Sequence, residues 1–139
     1  MGYASPMADQ ARGREPREKR FQRKEPPAAC PFCKERIPRP ALLNRPGISD
    51  GCEGGACGGC GAVFIGDVTG KLGGQALVDG LTILADGDVQ AGMSLQAGVD
   101  YEMHKVGYRP RTHSLEKHMP RHATFGRPKL WFFRALPAE

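Results

Sequence analysis

Aromatic residues are scarce in this chain: six Phe, three Tyr and one Trp make up 7% of its 139 residues. With apolar residues at 40%, the area available for burial is small. That excludes a large enzyme core and leaves the ordered part in need of a metal, a partner or a second chain. Long hydrophobic runs are missing as well. No stretch approaches the ~20 residues that span a bilayer, and residues 1–11 lack the apolar segment of a secretory signal. The chain is therefore read as soluble and cytoplasmic, with no membrane contact. It has no Ser-His-Asp elbow, no HExxH and no doubled carboxylate in an apolar setting, so it is read as a non-enzyme. What it has in excess is Gly and Pro, 19 and 12 residues, which punctuate rather than pack.

Charge is divided into three blocks. Residues 1–40 hold ten Lys/Arg against five Asp/Glu, residues 41–100 two against seven, and residues 101–139 eight against three. In the first block Arg12, Arg14, Arg17, Lys19, Arg20, Arg23 and Lys24 alternate with Glu15, Glu18 and Glu25. Such a segment cannot bury enough surface to offset its ordering entropy. Residues 1–28 are expected to be a disordered basic arm, and its seven cations are candidate contacts for nucleic-acid phosphates.

The elements after residue 28 predict a small α+β protein. Residues 29–66 hold all five cysteines, four of them in two pairs, and end in the apolar run Ala62-Val-Phe-Ile65, a short strand and one arm of a β-hairpin. Residues 67–107 read as a helical segment. Leu72, Ala76, Leu77, Leu81 and Leu84 define an amphipathic helix over 69–85 with Thr69 as N-cap, Leu77 and Leu81 facing the core and Asp79 exposed. Asp88 caps a second helix to about Gln96, and Asp100 a third to about Val106. Residues 108–139 form a basic tail closing on a strand, Lys129-Leu-Trp-Phe-Phe-Arg-Ala-Leu136. One face of that strand packs on the helices; Trp131, Phe132 and Phe133 are candidate partner contacts on the other.

The densest signal is Cys30-x2-Cys33, then 23 residues, then Cys57-x2-Cys60. Each pair can make a tight turn with both thiolates on one side, and two facing turns form a tetrahedral four-sulfur cage. Gly61 can take the left-handed conformation that lets backbone amides approach sulfur. The text Cys-Pro-Phe-Cys followed by Cys-Gly-Gly-Cys-Gly-Ala-Val-Phe resembles the zinc ribbon family over residues 29–66. The resemblance implies two knuckles, a small antiparallel sheet and one structural Zn2+ held by Cys30, Cys33, Cys57 and Cys60. Lys34 departs from the glycine that often follows the first pair.

Cys52 opens an alternative, because Cys52-x4-Cys57-x2-Cys60 copies the first three ligands of a plant-type [2Fe–2S] protein. No cysteine follows Cys60, so Cys52 is read instead as an auxiliary thiol near the zinc. Gly66-Asp-Val-Thr-Gly70-Lys71 falls one residue short of a phosphate loop and has Leu72 where a magnesium-binding hydroxyl belongs. It is read as a strand-to-helix junction. His113, His118 and His122 are read as surface histidines, since Pro120 breaks the helix that would align the last two. A closed four-sulfur site offers no open coordination position. Two functions fit: association with nucleic acid through the basic arms, or a protein adaptor docking through the Trp131 patch.

Overall fold

The apolar run after the second cysteine pair is a strand buried along its whole length, β3 (Val63–Asp67). It lies in an antiparallel sheet drawn from every part of the described chain. The computed structural model describes residues 26–116 and 126–137. The other strands are β1 (Ala41–Leu42), β2 (Glu53–Ala56), β4 (Tyr101–Arg109), β5 (Ser114–Leu115) and β6 (Lys129–Ala135). Two helices, α1 (Gly73–Leu84) and α2 (Val89–Met93), lie between β3 and β4. The strand order is β1-β2-β3-β6-β4-β5, a small α+β fold. The last long strand inserts between β3 and β4, so the cysteine segment and the tail share one sheet. The arm expected over 1–28 falls almost wholly outside the described residues, with all seven of its candidate cations.

The sheet is covered on both faces, and its registers show how. Val63 and Phe133, Ile65 and Trp131, and Met103 and Phe133 are paired across strands. With Tyr101, Cys52, Ala76 and Leu81 they form the core beneath the helices. Phe64 pairs with Phe132, and Val106 with Leu130. With Tyr108, Ala28, Ile37, Cys30 and Cys57 they form a second core beneath the cysteine turns. Because consecutive residues of a strand point to opposite faces, Trp131-Phe132-Phe133 serves both layers. Its side chains are 7%, 0% and 0% exposed, which corrects the expectation that they contact a partner.

The helical segment is shorter than its periodicity suggested. Asp67 accepts the amides of Gly70 at 2.8 Å and Leu72 at 3.2 Å, and Thr69 Oγ1 accepts that of Lys71 at 3.1 Å. Residues 68–72 are thereby held as a turn. α1 starts at Gly73 with Leu72, not Thr69, at the capping position and no side-chain cap. Leu81 is buried as expected, but Asp79 is too, at 2%. The loop over Ser49 crosses it, and its carboxylate accepts from Ser49 Oγ at 2.6 Å and Gln75 Nε2 at 3.1 Å. The helical glycines have packing reasons. A Cβ at Gly80 would overlap the Phe133 ring, and one at Gly92 would meet the backbone of Leu81.

Asp88 caps α2 as expected, accepting Ala91 N at 3.0 Å. The third helix does not exist: residues 101–107 pair one for one with β6. Asp100 closes a turn instead, its Oδ2 accepting Gln96 N at 2.8 Å. A partner strand arriving from about thirty residues later in the chain decides the matter against local capping chemistry.

Candidate metal centre

The two cysteine pairs are built by the same local rule. Cys30 N donates to Glu35 O at 2.7 Å and Lys34 N to Cys30 O at 2.8 Å; Cys57 N donates to Ala62 O at 2.7 Å and Gly61 N to Cys57 O at 2.9 Å. The residue after each pair is left-handed, Lys34 at φ 72° and Gly61 at φ 79°. Each pair is thus a knuckle that turns its two sulfurs inward. The second caps the β2–β3 hairpin, and the first is closed by a bridge between Ala29 and Arg36.

Facing the knuckles brings Cys30 Sγ within 3.7 Å of Cys60 Sγ and Cys33 Sγ within 3.4 Å of Cys57 Sγ. All four sulfurs lie within 4.8 Å of one another. A tetrahedral ion with metal–sulfur bonds of about 2.3 Å would hold its ligands about 3.8 Å apart, so the cage is of the right size. Four cysteines this close form a group able to hold a metal ion. Their protonation chemistry suits one as well. Burial pushes the Cys30 thiol up to about 12 against the amides of Cys33 and Phe32. At Cys57 burial is the largest single influence and acts upward, but the amides of Cys60 and Gly59 and the hydrogen bonds from Cys33 and Cys30 together outweigh it and hold the thiol below its ordinary value. Crowded thiols of this kind are relieved when a cation replaces their protons.

Sequence spacing gave no hint of the groups around the cage. The Arg134 guanidinium lies over the Phe32 ring, 4.6 Å from its centroid, and bonds Glu102 through Nε at 3.0 Å and through Nη2. Glu102 first, then Cys60 and Cys30, hold Arg134 above its ordinary pKa. The cation therefore stands where four thiolates and a divalent ion would leave excess negative charge. His113 fastens the first knuckle from behind. Its Nε2 donates to Ile37 O at 2.8 Å, its Nδ1 accepts from Tyr108 Oη at 2.7 Å, and its carbonyl accepts Ala28 N at 2.8 Å. With both ring nitrogens engaged and the residue buried, His113 is a structural histidine and not the surface residue expected. His118 and His122 lie outside the described residues.

Cys52 stands apart. It belongs to the core beneath the helices, whereas the four clustered cysteines sit under the opposite face, and it does not join the four-sulfur group. Burial, then the Asp79 carboxylate, pushes its thiol up to about 12. This corrects the expectation of an auxiliary thiol and removes the ferredoxin-like ligand set, which needs Cys52 beside Cys57 and Cys60. Among the described residues no helix is long and apolar enough to cross a membrane. Comparison with known families, with curated proteins and with solved structures finds no match for the chain.

Proposed function

We propose that the chain is a non-catalytic, zinc-ribbon-type protein that associates with nucleic acid, its four cysteines holding one structural zinc. Four sulfur donors select zinc over hard cations, and a closed set of four leaves no position for substrate. The ion supplies folding energy, and the residues around it supply the surface.

The observation that carries the nucleic-acid reading is a cluster of exposed cations beside the first knuckle. Arg39 reaches across to bond Pro110 O at 2.7 Å. That contact sets Arg39 against the β4–β5 turn, which is flanked by the exposed Arg109 and Arg111, while Lys34 and Arg36 are exposed in the same knuckle segment as Arg39. Glu35 is interspersed, and Arg109 also faces Glu116 at 3.7 Å. Phosphate contacts are made by such surfaces. The adaptor reading has lost its anchor, since the aromatic triplet is core.

Titration of a labelled oligonucleotide at several salt concentrations tests this. If the arm and the knuckle cations neutralise about four phosphates, affinity for duplex falls ~100-fold between 50 and 200 mM salt. Reversing Arg39 and Arg111 together to Glu, or deleting residues 1–25, flattens the slope. No binding at the lower salt, or a slope unchanged by both alterations, overturns the reading.

A further inference from the structure

The close sulfur contacts of the cage run between the knuckles, Cys33 to Cys57 at 3.4 Å and Cys30 to Cys60 at 3.7 Å. Each joins a buried cysteine to a half-buried one. Cys30 and Cys57 are 0% and 2% exposed, whereas Cys33 and Cys60 are half-buried. The two more accessible members belong to different knuckles, so each meets its buried partner across the cage. Backbone makes this approach possible. A Cβ on Gly59 would stand 3.1 Å from Cys33 Sγ and 2.5 Å from Glu35 Cγ, so glycine at 59 lets the second turn rest on the first. The fifth thiol, Cys52, lies in the core beneath the other face of the sheet, away from these pairs.

An accessible cysteine poised beside a resolving one is the arrangement that converts peroxide into a disulfide, and the cage holds it twice. We infer that the cage is a peroxide-responsive switch: Cys33 and Cys60 are oxidised first, Cys57 and Cys30 resolve them, and disulfides Cys33–Cys57 and Cys30–Cys60 replace the metal. At each pair the half-buried thiolate attacks hydrogen peroxide. An S–O bond forms as the O–O bond breaks, and the departing hydroxide takes a proton to become water. The buried thiolate then attacks that sulfenic sulfur; an S–S bond forms, the S–O bond breaks, and the second hydroxide is protonated. Two thiolates, one peroxide and two protons thus give one disulfide and two waters, sulfur being oxidised and peroxide oxygen reduced. A disulfide is no longer a thiolate ligand, so an ion in the cage is released. The links span 24 and 30 positions of the chain and fasten the β2–β3 hairpin to the first knuckle, as the ion does. A bond inside one Cys-x2-Cys turn would fasten nothing beyond that turn.

The full-length chain is treated with hydrogen peroxide after its metal content has been measured. Thiols are counted in denaturant, and a non-reducing tryptic digest is read by mass spectrometry. Trypsin cuts between the knuckles at Lys34 and Arg36, so links across the cage join two peptides, whereas links within a knuckle leave them separate. The free thiols are expected to fall from five to the single one of Cys52, with the two peptides joined and the same links formed in Cys52→Ser. Any bound ion should appear in solution as the links form, the far-UV circular dichroism should persist, and a dithiol reductant should restore all thiols and metal uptake. Dimedone added with the peroxide should trap Cys33 and Cys60. Separate peptides carrying internal disulfides, trapping at Cys30 and Cys57 instead, or unfolding on oxidation overturns the proposal. The links are read whether or not the purified chain carries zinc, so failure of the structural-zinc reading is seen in the metal content alone.

Discussion

Lys34 and Gly61 occupy equivalent positions, each directly after the second cysteine of its pair and each left-handed, at φ 72° and 79°. The same turn is thus made once with a side chain and once without. At Lys34 the Nζ bonds back to Pro31 O at 3.1 Å, partial compensation for the strain of a Cβ at positive φ.

Glycine at the first position should therefore stabilise the fold. The left-handed conformation costs an ordinary residue about 1–2 kcal/mol, part of which glycine returns through its freer unfolded chain. Lys34→Gly is expected to gain about 0.5–1 kcal/mol in denaturant unfolding, and Gly61→Ala to lose about 1–2 kcal/mol. The same sign for both substitutions would mean that the knuckles are not equivalent.

Leu81 and Asp79 lie on one helix and are both buried, for different reasons. Leu81 fills the core beneath α1, and its truncation to alanine should cost about 2–4 kcal/mol. Asp79 ties the Ser49 loop to the helix, so Asp79→Ala should cost about 1–3 kcal/mol by leaving its donors unsatisfied. Thermal melts of the two variants check this. A neutral Asp79→Ala would show that the loop does not rest on that carboxylate.

The Cys52 thiol makes a prediction in alkali. Its folded value is raised from 9.0 to about 12 by burial and by Asp79. The unfolded thiol ionises first, so its contribution is complete below pH 9 and is lost as pH climbs toward 12. Cys52→Ala should flatten the alkaline fall in unfolding free energy and leave bound metal unchanged. An identical alkaline profile in the variant would contradict the buried thiol.

How much of this was legible in the sequence follows from the range of the interactions. The two cysteine knuckles, β3 and the Asp88 cap are set by neighbours a few residues apart, and local spacing marks them. β4 was read as a helix because its pairing with β6 is invisible to a short window. Trp131, Phe132 and Phe133 read as half exposed because nothing in their own strand says that knuckles cover one face while helices cover the other. Asp79 looked like a solvated helix residue because the loop that buries it comes from thirty positions earlier. Arg134 and His113 joined the cage and its first knuckle only through the sheet.

The measurement that bears most directly on the account is the metal content of the purified chain, followed by unfolding with and without a strong chelator. One zinc per chain and no stoichiometric iron are expected. The metal should be lost in Cys30→Ser or Cys57→Ser but retained in Cys52→Ser, and chelation should bring a large fall in melting temperature, because the small core beneath the knuckles needs the ion to hold its two halves together. A brown protein carrying iron, or a metal-free chain that melts at the same temperature with chelator as without, would contradict it.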